Sequence, residues 1–281
     1  MKTVAVIGLG LMGGSLGLAL RRRGLARVKG YARRKATMDA ALAMGVVDEV
    51  AGTPQTAVEG AQIVVVCTPV LAIPELVHSF LPALESGTVI TDVGSTKTEL
   101  TNRIAPVLAG RPVEFVGSHP MTGSEKTGIA VARADLYEGS VTVVTAGEGA
   151  GSGVDVVSRM WRDVGCRVVR LAPEDHDAIV ARTSHLPHLV ASLLVTATGG
   201  MDRDKFLALC GPGYRDTTRI AAGSPDMWHD IVRSNRAEIL SALRGFQGEL
   251  AGLIADIEAG DFEAVREQLE KGRRLREQIT S

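Results

Sequence analysis

The chain has 281 residues, with 31 Lys and Arg against 32 Asp and Glu and a net charge of −1. That length accommodates two domains with a full core, and the charge balance excludes nucleic acid or a membrane surface as a partner held by bulk charge. Only 4% of the residues are aromatic and 32 are glycine, a composition that fits an α/β protein rich in tight turns. Cys67, Cys166 and Cys210 lie far apart without metal-ligand spacing, and they read as reduced thiols of a cytoplasmic protein. The apolar stretch over residues 4–20 is interrupted by glycines, which excludes both a signal peptide and a membrane span as its reading.

Residues 3–7 form a β run that enters Gly8-Leu9-Gly10-Leu11-Met12-Gly13, and residues 14–23 form a helical stretch that ends at Gly24. Strand, Gly-x-Gly-x-x-Gly and helix in that order point to a dinucleotide site. Gly8 permits the tight turn, Gly10 lets a pyrophosphate approach the backbone, and Gly13 lets helix and strand lie close. The helix N-terminus, with Leu11 and Met12, offers free N–H groups to phosphate. Residues 28–31 make the second strand, whose end selects the dinucleotide. Where an acid would accept the ribose hydroxyls of NAD stands Ala32, followed by Arg33 and Arg34 with Thr37 nearby. Two guanidiniums suit a 2′-phosphate, so NADP is the preferred cofactor, with NAD the alternative.

The alternation continues. A helix over 37–44 precedes the apolar strand 63–68, whose end is Thr68-Pro69; a helix follows over 73–84 and a strand over 88–92. That strand opens into Gly94-Ser95-Thr96-Lys97 ahead of a helix over 98–108. Ser95 there is either a helix cap or a ligand-binding hydroxyl, and Lys97 reads as part of the capping turn. The run 112–116 then delivers Gly117-Ser118-His119-Pro120-Met121-Thr122-Gly123-Ser124-Glu125, a histidine at the carboxyl end of a strand, where ligands bind in such sheets. Runs at 140–145 and 167–171 extend the sheet, giving a first domain over 1–172.

A second, all-helical domain is expected over 173–281. Residues 175–198 form one or two helices carrying His176, His185 and His188. The last two share a face, while His176, nine residues before His185, falls on the opposite side of a straight helix. No zinc-ligand spacing surrounds them. Residues 225–257 read as one helix of about 50 Å at 1.5 Å per residue. That is longer than a small helical domain buries alone, so a homodimer is expected.

These segments together resemble the prephenate/arogenate dehydrogenase family of tyrosine biosynthesis. The matching pieces are the glycine loop with Gly14-Ser15, Cys67-Thr68-Pro69, residues 91–97, residues 117–125, Ser184-His185-Leu186-Pro187-His188, and Arg215-Asp216-Thr217-Thr218-Arg219-Ile220-Ala221. The resemblance implies a Rossmann domain followed by a helical dimerisation domain. It also implies oxidative decarboxylation of prephenate to 4-hydroxyphenylpyruvate, with hydride passing to the nicotinamide. By the same resemblance, His119 is expected to take the hydroxyl proton, with Ser95 holding the same hydroxyl. Arg219 matches the family's carboxylate-binding arginine, and Arg215 is a weaker candidate. His176, His185, His188 and Glu125 match the remainder of the family's substrate site. An imidazole at His188 leans the reading to prephenate; arogenate is the alternative substrate. A β-hydroxyacid dehydrogenase and a non-catalytic NADP-binding protein are the remaining rivals.

Overall fold

The computed structural model describes residues 2–123, 126–146, 151–200 and 202–280. Residues up to Arg236 form one compact unit, and Ala237–Ser281 a second. The first opens with β1 (Lys2–Ile7), α1 (Leu11–Arg22), β2 (Ala26–Tyr31), α2 (Lys35–Ala43), β3 (Glu49–Val50) and α3 (Pro54–Val58). It continues with β4 (Ile63–Val66), α4 (Ile73–Phe80), β5 (Val89–Asp92), α5 (Thr98–Leu108) and β6 (Glu114–Val116). The six strands lie in the order β3-β2-β1-β4-β5-β6, and every pairing is parallel. Alternate residues of β1 and β4 enter opposite cores: Val4, Val6, Ile63 and Val65 on one face, Ala5, Ile7, Val64 and Val66 on the other. A sheet covered on both faces needs apolar residues at both parities, hence the unbroken Ile-Val-Val-Val of β4.

The expected extension of this sheet does not form. Strands β7 (Ser118–Pro120), β8 (Val141–Thr145) and β9 (Arg167–Leu171) make a separate sheet in the order β7-β8-β9, the first pair antiparallel and the second parallel. Only Gly117 separates β6 from β7. A Cβ at Gly117 would stand 2.5 Å from Thr145 Oγ1 and 3.0 Å from Lys97 Cδ, so the chain turns from one sheet to the other at a point with no room for a side chain. Between β8 and β9 lies α6 (Gly153–Asp163), which the sequence reading did not anticipate. Its Val154, Val157, Met160 and Trp161 are buried, an i, i+3, i+6, i+7 stripe.

The helices that follow are α7 (Pro173–Val180), α8 (Leu186–Thr198), α9 (Arg203–Leu209), α10 (Pro212–Thr218) and α11 (Pro225–Ser234). A π turn, Ala181–His185, joins α7 to α8. The run Pro173–Thr198 has the length and apolarity of a membrane-crossing helix, but it carries four buried polar residues, His176, Asp177, His185 and His188. The long helix expected over 225–257 is broken at Asn235, whose φ of −123° and ψ of 33° end α11. In the second unit α12 (Arg236–Ala259) turns at Gly260 into α13 (Phe262–Thr280). Phe246, Leu250, Ile254 and Ile257 of α12 are exposed at helical spacing, as are Phe262 and Leu269 of α13.

Candidate active site

The glycine loop fits a dinucleotide. Gly8 takes φ of +106°, and a Cβ on Gly13 would lie 2.0 Å from the Gly8 carbonyl oxygen, so both positions exclude a side chain. A Cβ on Gly10 would meet nothing within 4 Å, leaving the approach to the helix open. Helix α1 starts at Leu11, three residues earlier than expected, and Gly10 supplies no side-chain cap. The N–H groups of its first turn are therefore free for phosphate. Tyr137 Oη donates to the Met12 carbonyl at 2.7 Å and holds this turn from behind. At the end of β4, Thr68 Oγ1 is a buried polar atom with no hydrogen-bond partner, beside exposed Pro69. Ala32 is buried at the end of β2, and Arg33 and Arg34 beyond it are exposed; Thr37 is half-buried on α2.

Between β5 and α5 the loop is more occupied than a capping turn. Ser95 is half-buried, but Thr96 Oγ1 bonds Ser234 Oγ at 2.8 Å and Lys97 is fully buried. Lys97 Nζ donates to Asp92, itself fully buried, whose other oxygen accepts from Ser118 N at 3.0 Å. Burial pulls the lysine pKa below its usual value against the opposing pull of Asp92. Helix α5 takes its cap from elsewhere: Asp177 on α7 accepts from Lys97 N at 2.9 Å and Thr98 N at 2.8 Å. A carboxylate there also faces the positive end of the helix dipole.

Asp177 is the start of a chain of bonds that ends at His119. Burial alone would raise its pKa, but bonds from His176 and from the backbone of Thr98 and Lys97 outweigh it and hold the carboxyl below its usual value. His176 Nδ1 lies 2.8 Å from Asp177 Oδ1, and His176 Nε2 lies 2.9 Å from His119 Nδ1. An ionised carboxylate only accepts, so His176 donates from Nδ1. In the pair's neutral state His176 Nε2 then accepts from His119 Nδ1–H, which leaves His119 Nε2 with a free lone pair. Burial, then the charges of His176, Lys97 and His185, keep the His119 pKa well below 6.5. The ring in the middle of β7 is thus a neutral base of fixed tautomer. Its strand is anchored through Ser118, whose hydroxyl meets Thr91 Oγ1 and Trp161 Nε1, each at 2.9 Å.

The three histidines of the helical run gather on this side despite their spacing. The π turn adds a residue to the helical circuit between His176 and His185, which rotates the second toward the first. All three are buried. His188 stacks on Trp228 of α11 at 3.6 Å between ring centroids, and His185 meets the same indole edge-on at 5.9 Å. Arg219 is exposed on the 3₁₀ turn Arg219–Ala222, which packs against α8. Arg215 is exposed and its Nε donates to the Cys210 carbonyl at 3.0 Å. Glu125 lies outside the described residues. Asp177, Asn235, Asp92 and Trp228 are participants that the sequence reading missed. A carboxylate directly after a histidine, and an asparagine inside an apolar helical pattern, were the available signals. Among the described residues no group of three or more His, Cys, Asp and Glu could hold a metal ion.

The family model "Prephenate dehydrogenase, nucleotide-binding domain" matches residues 16–170, and "Prephenate dehydrogenase, dimerization domain" matches residues 172–271. A prephenate dehydrogenase of Bacillus subtilis is 35% identical over 269 residues, 93% of this chain and 71% of that protein. The crystal structure of A. aeolicus prephenate dehydrogenase with hydroxyphenyl propionate and NAD+ superposes with a TM-score of 0.91 at 31% identity, covering 99% of this chain and 98% of that one. Synechocystis arogenate dehydrogenase gives 0.85 at 28%, covering 99% and 100%. Two consecutive domain models that account for nearly the whole length, on a fold shared end to end with a solved member, place the chain in the prephenate dehydrogenase family.

Proposed function

We propose that this chain oxidises prephenate and releases its ring carboxylate as CO2, forming 4-hydroxyphenylpyruvate. The observation that carries the reading is the Asp177–His176–His119 chain, which leaves His119 Nε2 as a neutral acceptor nitrogen. His119 Nε2 takes the proton of the ring hydroxyl while Ser95 positions that hydroxyl. The proton accepted at Nε2 is offset at Nδ1, where His176 and the Asp177 carboxylate stabilise the positive charge. The electron pair of the breaking ring–carboxylate bond closes the aromatic ring. Arg219, with Arg215 as a second cation, neutralises the substrate dianion, and His185, His188 and Glu125 contribute the remaining polar contacts.

The cofactor is a nicotinamide dinucleotide, which supplies the hydride acceptor when bound. Gly8, Gly10, Leu11, Met12 and Gly13 would hold its pyrophosphate, and Thr68, Pro69 and Ser95 would border it. NADP is the preferred form on this reading. Ala32 leaves the end of β2 without a carboxylate, and Arg33 and Arg34 stand exposed beside it, neither in an ion pair among the described residues. The catalytic unit is a homodimer joined through the helical domain, supported by the exposed apolar row of α12 and by the dimerisation model over 172–271. On this reading 1–172 is the cofactor domain and 173–281 the substrate and dimer domain, working in the cytoplasm with the three free cysteines reduced.

The test is direct. Purified protein is mixed with prephenate or arogenate and with NAD or NADP, and the absorbance of reduced cofactor is followed. Turnover of prephenate is expected. Turnover of arogenate alone would move the substrate, and no turnover of either would sink the reading.

A further inference from the structure

Among the described residues, His185 Nε2 is a buried ring nitrogen with no hydrogen-bond partner, in a side chain that is 1% exposed. A buried polar atom left so carries a desolvation cost, which an incoming ligand atom would recover. What this nitrogen offers depends on where the ring carries its proton, and Asn235 decides that. The Asn235 side chain lies 2.9 Å from the main-chain carbonyl oxygen of Asp177. A carbonyl oxygen only accepts, so the amide nitrogen, not its oxygen, points there. The same Nδ2 lies 3.3 Å from His185 Nδ1 and has a second hydrogen to give. His185 Nδ1 therefore presents a lone pair, and the proton of the neutral ring is on Nε2.

We propose that Asn235 is a positioning residue that locks neutral His185 in its Nε2–H tautomer, so that the ring gives one uncharged N–H donor to an oxygen of the substrate. The proposal rests on the reading of this pocket as a substrate site. The location of Asn235 follows from the break in the helix: a residue in helical conformation would continue α11, whereas this one, 4% exposed, turns inward. The surroundings of His185 on balance favour the neutral ring. Asp177 and His176 face it from α7, His188 from α8 and His119 from β7, with the Trp228 indole edge-on from α11. Burial, the largest influence, takes its pKa down to about 4; His176 and His188 act in the same sense and Asp177 opposes. A neutral donor orients an anionic substrate without placing a cation beside the His119 base, where it would weaken proton acceptance.

The experiment is a long-range proton–nitrogen correlation spectrum of the histidine rings in ligand-free protein at pH 7, with His185→Gln identifying the signal. An Nε2–H ring with unprotonated Nδ1, unchanged down to about pH 5, is expected. In Asn235→Ala both tautomers become populated. Asn235→Asp replaces the donor by an acceptor, so the ring shifts to Nδ1–H, its titration moves up by a unit or more, and KM for prephenate becomes pH-dependent between pH 5 and 8. KM for the nicotinamide cofactor stays within twofold. A wild-type ring that is Nδ1–H or cationic at pH 7 would overturn the proposal, as would an Asn235→Ala spectrum identical to wild type. The ring spectrum needs no ligand, so it decides the tautomer whatever the turnover assay gives, and the wild-type spectrum decides it even where Asn235→Asp does not fold.

Discussion

Replacing Asp177 by asparagine removes one charge and alters three hydrogen bonds, and the structure sets the size of the effect. Asp177 Oδ1 accepts from Lys97 N and His176 Nδ1, and Oδ2 accepts from Thr98 N. An asparagine has one oxygen, so either orientation sets its NH2 against a backbone N–H of α5. With the oxygen toward His176, the bond order through His119 survives but Thr98 N–H is orphaned. With the nitrogen toward His176, the ring must accept at Nδ1, both tautomers reverse, and His119 Nε2 carries a hydrogen and can no longer act as base. The two orientations each orphan one donor and are of comparable energy, so roughly half of the molecules lose the base. The charge matters more. A hydrogen bond to a charged group is worth about 1.5–3 kcal/mol, which at about 1.4 kcal/mol per tenfold is roughly 10- to 150-fold in rate. The expected outcome is a kcat about 100-fold lower with KM for the cofactor unchanged, measured by absorbance at saturating prephenate and alongside a thermal melt. A kcat within threefold of wild type would refute the tautomer chain.

His119→Asn keeps cofactor binding but loses most of the rate, about 10²–10⁴-fold for loss of a general base; near-normal kcat removes His119 from that role. Because the His119 pKa is held well below 6.5, its base form persists as pH falls from 8 to 6.5, and kcat/KM for prephenate stays level over that range and declines only at lower pH. An acid limb centred at or above 6.5 contradicts this. Lys97→Met strands the Asp92 carboxylate in the interior, a loss of about 3–5 kcal/mol. At about 2–4 °C per kcal/mol for a protein of this size, Tm falls by roughly 10 °C in calorimetry; a shift under 3 °C would mean the pair is not holding the loop. Arg33→Ala raises KM for NADP far more than KM for NAD, and equal effects count against a 2′-phosphate site.

The parallel sheet was legible because its strands are buried on both faces and announce themselves as apolar runs bounded by glycine and proline. Of the candidate site, His119 and the glycine loop could be singled out from the sequence, because local residue types there suggest a chemistry. What lay beyond reach were choices made by tertiary contacts. Asp177 caps a helix 80 residues away, which no spacing rule near either segment contains. The π turn at Ala181–His185 brings His176 and His185 together although 3.6-residue periodicity separates them. Asn235 sits in a pattern that reads as helix throughout, yet the helix breaks there and its side chain bonds Asp177 and His185. The second sheet escaped notice because β8 and β9 carry the same β-rich composition as the first, and composition does not say which strand edge will accept them.

The turn at Gly117 has a mechanical consequence. One uninterrupted stretch, 114–120, is hydrogen-bonded to the cofactor-side sheet at its start and to the small sheet at its end. The His119 ring is therefore carried on the same stretch of backbone as a strand of the sheet whose β1 leads into the glycine loop, as a fitting on the same beam. Beyond Pro120 the Met121 N–H donates to the Val141 carbonyl at 2.7 Å, which continues the pairing of β7 with β8. The registers of two strand pairs, β5 with β6 and β7 with β8, thus fix the position of one histidine ring.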